Sequence, residues 1–207
     1  MTNFANEITR FKEWAKSHEG TNGEWECDYP HWAQLYAAAE EAISSSTKIP
    51  PNIETSFNLI YAIARDNESE RLRERLIEYP KLLRLLALLG INSIEPDAKW
   101  QIAVSVADAR LPDSADLIRP YLADDDEYVR RRSLLAIAAF SPAEAEEIAK
   151  SWMNEDYEYS RIAGINVLNI IKSDSLSFYL ERHAKDPSEY VRLNIAEIKK
   201  QNMDDVS

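Results

Sequence analysis

Cys27 and His31 are the residues whose types and spacing come closest to a reactive pair. A thiol and an imidazole four residues apart, with Glu26 and Asp28 beside them, are groups that bind zinc or combine a nucleophile with a base. Structural zinc sites use four protein ligands, and the chain contains no second cysteine. Closeness along a sequence also does not create a catalytic geometry. We therefore predict no metal site and no catalytic pair at these residues.

Other signs of catalysis are equally weak. The chain contains no glycine-rich phosphate loop, no His-Glu-X-X-His and no Gly-X-Ser-X-Gly. His18 and His183 fall in the last turns of predicted helices, where the negative end of the helix dipole favours a cation. Carboxylates abound, but on exposed turns of an acidic chain they are expected to be solvated rather than poised for proton transfer. We predict no catalytic residue, no cofactor and no enzymatic activity.

The chain is organised by a repeated tetrapeptide. Glu-Tyr-X-Arg occurs three times at a constant interval, as Glu127–Arg130, Glu158–Arg161 and Glu189–Arg192. An interval of about 30 residues falls within the range that is typical of stacked supersecondary units. The sequence therefore predicts a repeat protein.

The segments on both sides of each tetrapeptide have helical periodicity. Their apolar residues recur at spacings of three and four, both before it (112–123, 142–154, 174–185) and after it (127–140, 157–171, 188–200). Only four glycines occur, and no run of alternating β-branched residues favours a strand. Each unit is predicted to be a helical hairpin, and the fold class all-α.

The remaining segments complete a single predicted domain. Residues 97–104 keep the apolar spacing and read as a degenerate fourth unit, so the repeats cover 96–200 and divergent helices cover 50–95. Two helices, 2–18 and 30–44, interrupted at 20–23, form an N-terminal cap over 1–49. Trp14, Trp25 and Trp32 are expected to cover the apolar end of the array, although the aromatic, acidic loop 23–32 could instead bind a partner. Residues 201–207 are predicted to be a disordered tail.

The recurring Asp, Arg and apolar positions of residues 96–200 resemble HEAT and HEAT-like repeats. This resemblance implies an α-α superhelix, that is, a right-handed solenoid of helical hairpins. It also implies a polar ladder between neighbouring units. Its residues would be Asp126, Asp156 and Asp186, paired with Arg130, Arg161 and Arg192, although the interval from Asp to Arg grows from four to six residues.

Negative charge is concentrated in one part of the chain. The net charge is −12, and half of this excess lies in residues 121–160. Its two main clusters, 124–127 and 155–158, occupy equivalent places in adjacent units and are expected to lie along one edge. Such a surface attracts a cationic partner and disfavours nucleic acid. The alternative is that these acids only cap helices and keep the chain soluble.

Aromatic residues accompany the acids and suggest a protein contact. Tyrosine and tryptophan within a charged rim are typical of binding hot spots. The predicted partner-binding residues are Tyr121, Asp124, Asp125, Trp152, Glu155, Asp156 and Tyr157. The tyrosines of the repeated motif, Tyr128, Tyr159 and Tyr190, are expected mainly to pack hairpin turns together, with a binding stripe as the alternative.

These observations predict a non-catalytic protein that binds a basic partner. By analogy with small acidic HEAT-like proteins, the expected form is an inhibitor or immunity protein that masks a toxin domain such as a nuclease. The alternatives are a scaffold or assembly factor and, since some HEAT-like solenoids are DNA glycosylases, a glycosylase-like or lyase-like enzyme using Trp100, Trp152 and Asp108. With no secretory segment and no long apolar stretch, the chain is expected to be a cytoplasmic monomer without membrane contact.

Overall fold

The computed structural model describes residues 3–18 and 25–204, apart from the side chains of Trp25 and Asp204. Helices and their connections make up these ranges, and no strand occurs within them, so the all-α prediction is confirmed. The predicted break at 20–23, the predicted role of the Trp25 side chain and the end of the predicted tail, 205–207, lie outside the described residues.

The chain divides into two compact units, Met1–Val129 and Arg130–Ser207. The helices of the first unit are α1 (Asn3–Ala15), α2 (Trp32–Ser45), α3 (Ile53–Arg65), α4 (Arg71–Leu76), α5 (Pro80–Gly90), α6 (Pro96–Asp108) and α7 (Ser114–Ile118). Helix α8 (Glu127–Ile137) spans the boundary between the units. The second unit continues with α9 (Pro142–Trp152), α10 (Glu158–Ile170), α11 (Leu176–Arg182) and α12 (Glu189–Asp204).

The period of the sequence appears in the helix boundaries. Helices α6, α8, α10 and α12 begin at Pro96, Glu127, Glu158 and Glu189, so successive starts are equally spaced along the chain. Proline occupies the first position of α5, α6 and α9, where a helix does not need the missing N–H. Residues 96–108 therefore have the helical structure predicted for the degenerate unit.

Two predicted helices differ from those observed. The segment 112–123 contains only the short helix α7, followed by the 3-10 turn Arg119–Ala123. Pro120 lies in that turn, and its ring and missing N–H are incompatible with the interior of an α-helix. At the other end of the repeats, α12 runs through Asp204 and includes four residues of the predicted tail.

Aromatic rings form much of the core near the start of the first unit. The buried Phe11 ring on α1 lies 4.6 Å from the ring of Tyr29, 5.7 Å from that of Trp14 and 5.5 Å from that of Trp32, all between centroids. These separations are those of favourable aromatic pairs. Tyr29 and Trp32 thus fold back against α1. Further along this unit, α3, α5 and α7 pack against α6.

In the second unit, α10 packs against α9, α11 and α12. The contact with α9 is close because Gly164 has no side chain. A Cβ atom at this position would lie 2.7 Å from Met153 Cε and 2.8 Å from the carbonyl oxygen of Ala149. A larger residue would therefore force the two helices apart.

None of the helices in the described residues is long and apolar enough to cross a membrane.

Candidate functional site

Cys27 and His31 lie beside aromatic rings at the start of the first unit. Cys27 is exposed in the 3-10 turn Trp25–Asp28, and the His31 ring meets the edge of the Tyr29 ring at 5.7 Å. Throughout the described ranges, no group of three or more His, Cys, Asp or Glu side chains is arranged to hold a metal ion. The geometry adds nothing to the case for zinc at this pair.

A cavity of about 220 Å³ beside Cys27 contains a buried carboxylate that the sequence did not indicate. The Asp66 carboxylate accepts two hydrogen bonds, from the Tyr36 hydroxyl at 2.5 Å and from the backbone N–H of Leu72 at 2.7 Å. Burial raises the pKa of Asp66 and also that of the Tyr36 phenol. One carboxylate oxygen of Asp66 binds Tyr36 on α2, and the other binds Leu72 in the first turn of α4. Asp66 therefore connects these two helices, which is a structural role.

Trp100 and Asp108, the residues of the enzymatic alternative, have separate structural partners. The Trp100 ring is buried against Ala103 and Tyr121, and its Nε1–H donates to Asp97 at 3.2 Å. Asp108 is exposed and forms an ion pair with Arg73 at 2.6 Å. A base-binding cleft would require an accessible aromatic face, which the buried Trp100 ring does not provide.

Two residues of the predicted partner-binding set belong to the core. Tyr121 is only 1% exposed, and its hydroxyl donates to the carbonyl oxygen of Ala87 at 2.6 Å. Its ring lies over Gly90, which leaves space for it. Trp152 is likewise buried on α9. Because both rings are buried, we take neither residue as part of a contact surface.

The acidic turn 124–126 contributes to structure within the first unit. Asp124 forms a largely buried ion pair with Lys99 at 2.7 Å, and its other oxygen accepts the backbone N–H of Asp126. The Asp126 carboxylate in turn accepts the N–H of Val129, in the first turn of α8. Asp126 therefore caps a helix, and Asp124 provides the carboxylate that pairs with a basic residue. Asp125 is the exposed acid of this turn.

The second unit contains the corresponding buried ion pair. The Arg161 guanidinium on α10 donates to both carboxylate oxygens of Asp186, at 2.9 Å from Nε and 2.7 Å from Nη2. Its Nη1 also donates to the carbonyl oxygens of Glu155 and Asp156 at 2.7 and 2.8 Å. Two parallel charge-assisted hydrogen bonds make this the best-formed ion pair of the unit. Asp156 thus contributes its carbonyl group rather than its carboxylate.

The two pairs share one register along the chain. In each, the basic residue precedes its acid by the same interval along the chain, as Lys99 with Asp124 and Arg161 with Asp186. The acids of the two observed pairs, Asp124 and Asp186, therefore occupy equivalent positions of the repeat. Of the other predicted ladder acids, Asp126 caps α8 and Asp156 contributes its carbonyl oxygen.

The Asp186 carboxylate has a strongly shifted pKa. Burial by itself favours its neutral form, but hydrogen bonds from Arg161, from His183 Nδ1 and from the Ser188 N–H outweigh burial and lower the pKa to about 2, from 3.8. Between these two values the unfolded chain binds more protons than the folded chain, so stability must rise with pH there.

We expect the Asp186 contribution to folding, about 2 kcal/mol above pH 4, to be lost as the pH falls from 3.8 towards 2. The free energy of unfolding, measured by urea denaturation across this pH range, should depend more steeply on pH for the native chain than for Asp186→Asn. Carboxyl NMR should place the titration of Asp186 near pH 2. A titration near 3.8 would show that the ion pair does not form in solution.

Three tyrosines of the second unit form an exposed surface, which we call the tyrosine stripe. Tyr157, Tyr159 and Tyr190 are 45%, 36% and 58% exposed. The ring centroids of Tyr157 and Tyr159 are 5.4 Å apart, and those of Tyr159 and Tyr190 are stacked at 6.1 Å. Tyr159 and Tyr190 therefore do pack neighbouring hairpins together, as expected, but all three rings also face solvent.

Exposed carboxylates adjoin the tyrosine stripe along the chain, and a guanidinium group contacts one of its rings. Glu155, Asp156 and Glu189 are exposed next to the three tyrosines in sequence, and the Arg131 guanidinium lies 5.1 Å from the centre of the Tyr159 ring. Arginine over an aromatic face is a favourable cation–π contact. The stripe therefore combines large accessible rings, exposed carboxylates next to them along the chain, and one ring that contacts a guanidinium group.

The chain matches no protein-family model, no curated protein and no solved structure. The likeness to HEAT repeats therefore stays a prediction from the repeated residues. What this chain does must be inferred from the geometry of its own side chains.

Proposed function

We propose that this chain is a non-catalytic helical-repeat protein, built as an α-α superhelix of HEAT-like hairpins, that binds and masks a basic protein. The observation that carries the proposal is the tyrosine stripe, with three contacting and exposed rings beside carboxylates. The biological form most consistent with it is an inhibitor or immunity protein that covers a cationic toxin domain such as a nuclease.

The physical chemistry of the stripe supports a protein partner. Tyrosine buries a large area at low entropic cost and keeps a hydroxyl for hydrogen bonding, so exposed tyrosines are common at the centres of protein interfaces. Carboxylates around such a centre increase the rate of encounter with a basic partner. Arg131 on Tyr159 is an example, within this chain, of the contact that a partner's arginine would make with Tyr157 or Tyr190.

The expected contact residues are those that the structure leaves accessible. Of the partner-binding residues expected from the sequence, the proposal keeps the exposed ones of the second unit, Glu155, Asp156 and Tyr157, and adds Tyr159 and Tyr190. Asp124 is omitted because its carboxylate is held by Lys99. Charge reversal at Asp124 would damage the fold and could not report on binding.

The test is capture of the partner from extracts of the native host, followed by binding kinetics with the identified protein. We expect Glu155→Lys to lower the association rate about tenfold at low salt, because it removes electrostatic attraction. Tyr157→Ser should instead raise the dissociation rate about 30-fold, since a hot-spot residue contributes about 2 kcal/mol or more.

Asp174→Lys is the matched control for charge. It makes the same change in net charge at an exposed residue in the turn after α10, at the opposite end of that helix from Tyr157 and about 20 Å away along its axis. This variant should bind with nearly native kinetics. Equal effects of Glu155→Lys and Asp174→Lys would refute the proposal. An acidic protein or a nucleic acid whose capture is lost with Tyr157→Ser would refute it as well, because the tyrosine stripe would then bind a partner of the wrong charge.

A further inference from the structure

Arg161 and Arg192 hold the turns that precede their helices in the same way. Each donates from Nη1 to the carbonyl oxygens of the residues six and five positions earlier. The distances are 2.7 and 2.8 Å for Arg161, and 2.6 and 3.0 Å for Arg192. These backbone contacts hold the Nη1 atoms of both guanidinium groups in the same way.

The two arginines differ in what meets those remaining N–H groups. For Arg161, the Asp186 carboxylate accepts from both Nε and Nη2, and the arginine is buried. For Arg192, no described carboxylate lies within ion-pair distance, and the side chain is exposed. At the equivalent position of the first unit, Lys99 also has its acid, Asp124, at 2.7 Å. Arg192 thus has the geometry of an inner ladder residue without the carboxylate.

The surface around Arg192 on α12 differs in burial and in charge from the surface around Arg161 on α10. On α10, the residues four and seven positions after the arginine are Ile165 and Leu168, both buried. Their equivalents on α12 are Ala196 and Lys199, both exposed, and Lys200 follows. Leu193, next to Arg192, is 59% exposed. This face of α12 therefore carries three basic residues, one alanine, one accessible leucine and a single exposed acid, Glu189, in its first turn.

We propose that this face of α12 docks a helical hairpin of another protein that presents a carboxylate in the turn before its second helix. The repeat itself indicates the occupant, since the equivalent face of α10 is covered by such a hairpin, in which Asp186 precedes α12. Charge complementarity supports the same choice, because Arg192, Lys199 and Lys200 face outward on one side of the helix. The site is distinct in charge from the tyrosine stripe and would bind an acidic rather than a basic partner.

The probe for this site is a fluorescently labelled synthetic peptide of residues 173–204, which contains both helices of the hairpin that covers α10. Fluorescence polarisation with the full chain should show binding that Arg192→Gln weakens at least about tenfold, as expected for loss of a charge-assisted contact. The control Lys185→Gln removes the same charge from an exposed residue and should leave the affinity unchanged.

A second peptide with Asp186→Asn makes the test specific for the ion pair. Its affinity for the native chain should be about as low as the affinity of the unmodified peptide for the Arg192→Gln chain. Combining the two changes should lower the affinity little further. Equal binding of the unmodified peptide to native and Arg192→Gln chains would overturn the proposal, because the peptide would then be exchanging with the chain's own hairpin. Self-association of the full chain that Arg192→Gln abolishes would equally overturn it, by making a second copy the occupant.

Discussion

Replacing Arg161 by methionine will lower the free energy of unfolding by about 3–5 kcal/mol, the range found when one partner of a buried ion pair is removed. The substitution leaves the Asp186 carboxylate buried without its two strongest hydrogen bonds and leaves two turn carbonyl groups without their donor. Urea denaturation followed by circular dichroism at neutral pH measures the loss. High salt should alter it little, because the pair is shielded from solvent.

Arg192→Met is the matched control from the same position of the repeat. Arg192 keeps the carbonyl contacts but is exposed and has no described carboxylate, so the loss should be about 1 kcal/mol or less. The double change Arg161→Met with Asp186→Leu should recover part of the stability, since no unpaired buried charge remains. If Arg161→Met and Arg192→Met cost the same, the ion pair would contribute nothing beyond the turn contacts.

Phe11→Ala will destabilise the first unit by about 3–5 kcal/mol, the usual cost of truncating a buried aromatic residue. The Phe11 ring is fully buried and touches the rings of Trp14, Tyr29, Trp32 and Tyr61. Removing it leaves a cavity that these large, rigid rings cannot fill without leaving their preferred geometry. Tryptophan fluorescence during urea denaturation reports this change, because two of the neighbouring rings are indoles.

Phe178→Ala provides the comparison for the same chemical change at an exposed site. Phe178 on α11 is 60% exposed, so its truncation should change the free energy of unfolding by no more than about 0.5 kcal/mol. A loss at Phe11 as small as that at Phe178 would mean that the aromatic cluster is loosely packed in solution.

Periodicity was enough to place most helices. The regular recurrence of Glu-Tyr-X-Arg marks helix starts at Glu127, Glu158 and Glu189, because a charged residue in the first turn and apolar residues every three to four positions are both local requirements of an amphipathic helix. The prediction was less accurate at 112–123, where the α-helix is short and Pro120 lies in a 3-10 turn.

The ladder shows that a local sequence pattern does not specify the contacts between hairpins. Asp126, which lies close along the chain to the arginine that follows it, caps α8 in the structure. Two basic residues instead pair with an acid of the following hairpin, Lys99 with Asp124 and Arg161 with Asp186. Such a pair is chosen by how hairpins pack, and local spacing alone does not specify it.

The amino-acid sequence by itself determined the helical class of this protein, its repeat length and its excess of acidic residues, because these depend on local periodicity and composition. Only the tertiary structure decided which side chains remain accessible. Tyr121 and Tyr157 are both tyrosines beside acidic turns, yet one is buried over Gly90 and the other faces solvent. The physical reason is that burial depends on which helix packs over a residue, and that neighbour is distant in sequence.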